Sequence, residues 1–455
     1  MQTFDAIVIG AGSGLNIMSA LASEGKKVAL IEKGPMGGTC LNRGCIPSKI
    51  VIHTADVMDL VNKSGEYGIK IPGKPSIDFT SIIDRASKLV DKESKEIEQS
   101  ILEDENITLF KGTGKFIGHK TLQIGDKKIK SENIFILAGC RPSIPEIKGL
   151  QGSGYITSTE ALRLKKQPKS MVVLGGGYIS AELAHFYGAL GTKITLIQRS
   201  DILLTKEDRE IATKFTEIFG KKHNVLVGHQ VTEIQKKGGK FIVYTQDKKG
   251  AVKKVFGEQL LVSLGVRPNT DILQVEKTGL KTDERGYLVT DDYMETSVKG
   301  IWAAGDIAGK YLFKHSANLE AEYALYNFQN PNKKKKIDYT AMPHAIFSSP
   351  QIASVGSTEE QLKEKGIEYS VGKHYYKGTG MGQALLEKDG FVKILSDKKS
   401  RRILGCHILG PEASSLIHEV IVAMKHGITA DQLVNTVHIH PALSEVVQRA
   451  AAKIE

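Results

Sequence analysis

In the run GGTCLNRGCIPSK at residues 37–49, Cys40 and Cys45 stand with four residues between them, ahead of a helix predicted from Pro47. On a helical first turn that spacing lets two sulfurs meet as a redox-active disulfide. A helix N-terminus and a nearby cation would lower the thiolate pKa, making it a nucleophile and a good leaving group. Two other chemistries use such a pair. It could contribute to a metal site, although no second Cys pair and no nearby His completes a ligand set. It could equally be two ordinary buried thiols.

A second candidate lies near the far end of the chain, in HIHPALSE at residues 438–445. Thiol–disulfide exchange needs a proton donor for the departing thiolate, and an imidazole suits that task near neutral pH. Glu445, five positions after His440 and across the first turn of a helix, can fix the ring tautomer. His438 competes from two residues earlier, and alternation points it elsewhere. A lone histidine here would read as structural; with the Cys pair present, His440 reads as catalytic.

The elements that must position these groups show one pattern twice. Phe4 to Ile9 is a short apolar run, followed by GAGSG at residues 10–14, a helical stretch through Glu24 and Gly25, and a β-like run from Lys27 to Ile31 ending in Glu32. Met171 to Leu174 repeats the design with GGG at 175–177, a helix through Gly188, and Lys193 to Ile197. Each is a strand–turn–helix–strand unit of a parallel sheet, so two dinucleotide-binding domains are expected. Glycines let the turn tighten and let the backbone approach a pyrophosphate seated on the positive end of the helix. Neither copy is a full GxGxxG: Leu15 and Ser180 hold the third glycine places.

The acidic-residue position separates the two sites. Glu32, 22 residues after Gly10, stands where a carboxylate accepts ribose hydroxyls, whereas the second unit has Gln198 followed by Arg199. A missing carboxylate beside a guanidinium suits a 2′-phosphate, so the second site leans to NADPH over NADH. Asp78 to Ile101 has helical periodicity with mixed charge, as an amphipathic surface helix does. Ile134 to Leu137 runs into AGCRP and Leu260 to Leu264 into GVRP, matching ends that suggest the two domains close alike.

Composition narrows the class. The 455 residues allow about three domains. Four cysteines (Cys40, Cys45, Cys140 and Cys406) are too few for a secreted disulfide scaffold, so a reducing cytoplasm is expected. The net charge is +11 and the pI about 9.1. The densest basic run, Lys333 to Lys336, has no aromatic interleaving and reads as solvated surface, so no nucleic-acid partner is expected. No long apolar run predicts a membrane span, and the N-terminus turns directly into a strand with no evident signal peptide.

Residues 37–49 resemble the active-site signature of the class I flavoprotein (pyridine nucleotide-disulfide) oxidoreductases, a family that includes dihydrolipoamide dehydrogenase and the glutathione, mercuric and mycothione reductases. The resemblance runs in order through GAGSG, the Cys pair, AGCRP, GGGYISAE at 175–182, GVRPN, IWAAGD at 301–306 and HIHPALSE. It implies an α/β fold with two Rossmann-like dinucleotide-binding domains plus an α+β dimerisation domain. The segments are 1–147 (FAD domain, first part), 148–268 (NAD(P) domain), 269–339 (FAD domain, second part) and 340–455 (dimer interface).

Residue by residue, Gly10, Gly12, Gly14, Glu32 and Lys33 resemble the FAD ADP site. Gly38, Thr39, Gly139, Gly305, Asp306 and His315 resemble further FAD contacts. Gly175, Gly177, Tyr178, Arg199 and Gly265 resemble the NAD(P) site, with Tyr178 gating the nicotinamide pocket. Cys45 resembles the sulfur that contacts the flavin and Cys40 the interchange thiol that attacks substrate. Lys49 and Glu182 resemble the ion pair beside flavin N5. His440 and Glu445 resemble the acid–base pair that the family supplies from the other subunit, which implies a homodimer. No metal is expected.

Within the family, the first loop GAGSGLNI, YLFKHSANLEA at 311–321 and Ala442 are similar to mycothione reductase. The helix from Leu15 to Ala22 lacks an Arg for a glutathione-type carboxylate clamp, and the end AAKIE lacks the Cys pair of mercuric reductase. The resemblance therefore implies an NADPH-dependent reductase of a small disulfide or dithiol. The alternative is a dihydrolipoamide dehydrogenase using NAD with a lipoylated partner protein.

Overall fold

A computed structural model describes residues 1–73 and 75–455, in two compact units. The first comprises Met1–Ile50, Thr80–Ser143 and Gly265–Asp338; the second comprises Val51–Phe79, Ile144–Leu264 and Tyr339–Glu455.

The first unit is built on a five-stranded parallel sheet in the order Ile301–Ala303, Ile134–Ile136, Ala6–Ile9, Val28–Glu32, Ile107–Lys111. The central strands are apolar at nearly every position because helices or loops cover both faces. Ile7, Ile9, Ala29 and Ile31 face one core; Ala6, Val8, Val28 and Leu30 face the other. The helix Gly14–Ser23 buries Ile17, Met18 and Leu21 in the second of these cores. The expected amphipathic helix is Phe79–Glu103, with Ile83, Ala86 and Val90 buried.

The two Arg-Pro ends pair with each other. Cys140–Pro142 and Val266–Pro268 form a two-stranded antiparallel ribbon with Arg141 opposite Arg267. The lysine run is less free than its composition suggested. Lys334 pairs with Glu295 at 2.7 Å and lies over the Trp302 ring, Lys336 pairs with Asp292, and Lys335 lies over Tyr326. Three of the four lysines therefore bind the protein's own acidic and aromatic groups.

The second unit repeats the parallel design with the order Asn224–Val227, Lys193–Gln198, Ser170–Leu174, Gln259–Val262, flanked by the helix Tyr178–Ala189. Its C-terminal part is a five-stranded antiparallel sheet in the order Pro343–Ile346, Ile352–Gly356, Ile403–Leu409, Phe391–Asp397, Tyr369–Tyr375. The helices Ala413–Lys425 and Glu445–Ala451 bury Ile417, Val420, Val446 and Val447 in one core with strand residues Ile394 and Ile408. The fold is thus α/β with two parallel nucleotide-binding sheets and an α+β C-terminal part. No helix among the described residues is long and apolar enough to cross a membrane.

Candidate active site

The first glycine turn is fixed by close approach. Gly10 has φ +106°, and a Cβ there would stand 2.3 Å from the Leu137 carbonyl oxygen. At Gly14 a Cβ would stand 2.8 Å from Val8 Cγ1, so glycine lets the helix close on the strand. Leu15 therefore costs nothing at the third glycine place, because Gly14 already supplies the close helix–strand approach. Glu32 is buried at the end of the second strand, where its two oxygens accept the Ala11 N–H at 2.8 Å and the Gly34 N–H at 2.7 Å. Beside it opens a small pocket lined by Gly10, Glu32, Lys33, Thr113, Ala138 and Asn269, among others. Asn269 closes this pocket by donating its backbone N–H to Gly139 and its side chain to Ala138. Thr113 and Asn269 were not singled out from sequence; Asn269 follows the GVRP run, but Thr113 carries no signal.

The second glycine pair of this unit lies at Gly305–Asp306. Gly305 has φ +76° and donates its N–H to Glu320 at 2.6 Å. The Asp306 carboxylate receives no hydrogen bond among the described residues, and burial pushes it up to about 6. A largely desolvated carboxylate with no donor of its own fits hydroxyl donors such as those of a ribityl chain. Cys140 donates its thiol to the Asp306 carbonyl at 3.3 Å, and burial with the Asp306 charge pushes that thiol up to about 12. Cys406 is fully buried and pushed up by burial, so neither thiol is poised to react. His315 stacks on Phe313 with centroids 5.4 Å apart.

Two helices, not one, carry the cysteine pair. Cys40 sits in the short helix Gly38–Arg43, Gly44 breaks the chain direction with φ −136° and ψ −116°, and Cys45 opens the helix Cys45–Lys63. The helix thus begins two residues before Pro47. Glycine is required at 44 because a Cβ would stand 2.9 Å from the Thr39 carbonyl oxygen. Buried Asn42 ties the approach by donating to Met36 O at 2.7 Å and Gly38 O at 2.9 Å. Both cysteines are thiols here; Cys40 is half-buried and Cys45 exposed. The expectation of a depressed thiolate pKa does not hold for Cys40. Its thiol is raised, first by a hydrogen bond with Cys45, then by burial and by the Cys45 charge, while Lys314 pulls it down. Two adjacent thiols cannot both ionise cheaply, so one shared proton stays on the pair. Lys49 reaches Ser48 Oγ at 3.4 Å, and Ser48 donates to the Cys45 carbonyl at 3.1 Å.

The other nucleotide turn belongs to the second unit. Gly175 has φ +109° and a Cβ would stand 2.5 Å from Ser263 O, while Gly177 caps the helix that Tyr178 opens. Ser180 replaces the third glycine without cost: it is buried and its hydroxyl bonds Ser263 at 2.8 Å. Gln198 ends its strand against Gly176, and Arg199 stands exposed beyond it. Glu182 is buried and accepts the Phe347 N–H at 3.0 Å. Gly265, with φ +102°, lies at the ribbon of the first unit, accepting from Ser143 N–H at 2.9 Å.

The histidine pair is resolved by geometry. His440 Nδ1 lies 3.0 Å from Glu445 Oε1. Glu445 is buried, takes the Ala442 N–H and Arg449 as further donors, and is held below the usual carboxylate range first by the His440 bond. An ionised Glu445 makes Nδ1 the protonated nitrogen and leaves Nε2 outward on a side chain 73% exposed. His438 is spent: Nδ1 meets Thr436 O at 2.8 Å and Nε2 meets Glu419 at 3.0 Å. Val437 and Ile439 between and beside them are 96% and 78% exposed, an apolar edge around the reactive ring.

Residues 4–323 match the family model of pyridine nucleotide-disulphide oxidoreductases and residues 342–451 match that family's dimerisation domain. The chain belongs to this family and is an FAD- and NAD(P)H-dependent oxidoreductase acting on disulfides. Among curated relatives, the dihydrolipoyl dehydrogenase of Chlamydia muridarum is 34% identical over 458 residues, 99% of this chain and 96% of that one. The mycothione reductase of Mycobacterium tuberculosis is 34% identical over 461 residues, 99% of both chains. Among solved structures, the HOCl-induced flavoprotein disulfide reductase RclA of Escherichia coli, as its Cu(II) complex, aligns with TM-score 0.90 at 27% identity over 100% of both chains.

Proposed function

We propose that the protein is an NADPH-dependent reductase of a small disulfide, working as a cytoplasmic homodimer with Cys40 and Cys45 as its redox pair. The observation that carries the reading is the His440–Glu445 dyad, whose outward Nε2 has no partner among the described residues. A proton donor of that kind serves thiol exchange, and a purely flavin-binding protein has no use for it.

The chain's own groups then divide the work. The Cys40 thiolate attacks one sulfur of the substrate, forming a Cys40–substrate mixed disulfide and expelling a thiolate that takes its proton from the partner subunit's His440. Cys45 then gives its proton to the imidazole and, as a thiolate, attacks Cys40 Sγ, closing the Cys40–Cys45 disulfide; the second half leaves as a thiolate and takes up that proton. Glu445 holds the ring so that Nε2 faces the departing sulfur. When bound, FAD supplies the two-electron relay from nicotinamide back to the cysteine pair. Gly10, Gly12, Gly14, Glu32, Lys33, Gly38, Thr39, Gly139, Gly305, Asp306 and His315 would hold it. Gly175, Gly177, Tyr178, Arg199 and Gly265 would hold the nicotinamide nucleotide, and Lys49 and Glu182 would supply charge near the flavin.

Exposed Arg199 beyond Gln198 supports a 2′-phosphate and hence NADPH. The second reading, a dihydrolipoamide dehydrogenase serving a lipoylated protein, is favoured by the name and 34% identity of the Chlamydia relative. Anaerobic flavin reduction with NADPH and with NADH in parallel, followed by reoxidation with a panel of low-molecular-weight disulfides and lipoamide, separates the two. Faster reduction by NADPH and reoxidation by a non-lipoyl disulfide supports the first reading; the reverse supports the second.

A further inference from the structure

Lys314 opens the helix Lys314–Gln329, and its ammonium donates to the Ser13 hydroxyl at 2.9 Å. Ser13 donates in turn to Asn318 Oδ1 at 2.9 Å, one turn along the same helix. Ser13 also stands immediately before the helix Gly14–Ser23, without bonding that helix's own N–H groups. The lysine is therefore pinned where the positive starts of two helices meet, a place that repels a cation unless an anion joins it.

The backbone ahead of Cys40 rides on this same turn. A Cβ at Gly38 would stand 2.8 Å from Gly12 Cα, next to Ser13, and Cys40 lies two residues beyond. Lys314 is half-buried and has no carboxylate partner among the described residues. Burial pushes its ammonium down, and the charges of Cys40 and Cys45 push it back up; reciprocally, Lys314 pulls the Cys40 thiol down. The half-buried lysine is held by one neutral hydroxyl, on the turn that also carries Gly38, and the anions that act on it are the Cys40 and Cys45 sulfurs.

We propose that Lys314 is a positioning residue for the reaction: pinned by Ser13, which Asn318 anchors in turn, its ammonium is the counter-cation that keeps the reduced Cys40–Cys45 pair in its monothiolate form. The proposal rests on Cys40 and Cys45 being the redox pair. It adds a cation that the sequence signature around the cysteines does not contain, because Lys314 comes from 269 residues after Cys45.

The test uses the full-length, flavin-loaded enzyme, reduced anaerobically and alkylated with iodoacetamide across a pH series, with labelling at Cys40 and Cys45 read by mass spectrometry. In K314M the profile moves to higher pH and labelling at neutral pH slows roughly tenfold, while K314R returns it towards the native profile. An unchanged K314M profile at native flavin content overturns the proposal. So does a K314M enzyme that sheds its flavin, since the charge would then serve the cofactor and not the sulfurs. Failure of the redox reading itself is seen elsewhere, in a Cys40→Ser enzyme that keeps disulfide turnover.

Discussion

Glu445 accepts the Nδ1–H of His440 at 3.0 Å, while the neighbouring His438 gives both ring nitrogens to Thr436 and Glu419. One histidine of the pair is thereby left with an outward Nε2, and the other is locked into the fold. Glu445→Gln should keep the ring near its place but lose the charge that fixes the tautomer and supports the imidazolium. Disulfide turnover is expected to fall by about 10²-fold or more. Flavin reduction by NADPH, measured by stopped flow, should stay near native.

The same pair sets a pH limit. Glu445 is held below its ordinary pKa by His440, so its contribution is present above the unfolded carboxylate range and is lost as pH falls through the depressed value. The acid limb of turnover should therefore move upward in His440→Gln, in a pH–rate profile of whatever activity remains.

Asp306 titrates in the opposite sense. Burial pushes its carboxyl up to about 6, so in flavin-free protein its favourable protonated state is full below about 4 and is lost as pH rises through 6. The flavin-free protein should lose of order 1–2 kcal/mol across that window. Asp306→Asn should flatten the dependence in thermal melts at pH 4 to 7.5, and should also weaken flavin retention.

A buried ionic cluster stabilises the second unit. Lys393, 1% exposed, bonds Asp208 at 3.0 Å and Glu359 at 2.6 Å; Asp208 also caps the helix Arg209–Lys222. Lys393→Ala strands two carboxylates and is expected to cost about 3–5 kcal/mol. Urea unfolding of the flavin-loaded enzyme measures it, and Lys393→Arg should recover part of the loss.

The proposed NADPH preference rests on Arg199. Arg199→Ala should raise KM for NADPH about tenfold or more and leave KM for NADH nearly unchanged. A parallel loss with both nucleotides would move the 2′-phosphate contact elsewhere.

Much of this was legible in the chain because it is local. Glycine turns, apolar strands and the Glu32 strand end repeat at fixed spacing, and the His440–Glu445 bond closes over five residues. What was not legible depends on chain segments meeting from afar. Lys314 reaches the Ser13 turn across 301 positions, and Asn269 closes its pocket on Ala138 across 131. The rise in the Cys40 pKa was missed for another reason. The helix-end argument considers one thiol at a time, whereas the break at Gly44 sets two thiols against each other.

The most direct test of the central claim is the anaerobic reoxidation of NADPH-reduced Cys40→Ser enzyme. Wild-type enzyme should recover its oxidised flavin spectrum on adding an accepted small disulfide. The Cys40→Ser enzyme should bleach with NADPH as the wild type does and then stay reduced. Recovery at the wild-type rate without Cys40 would contradict the account.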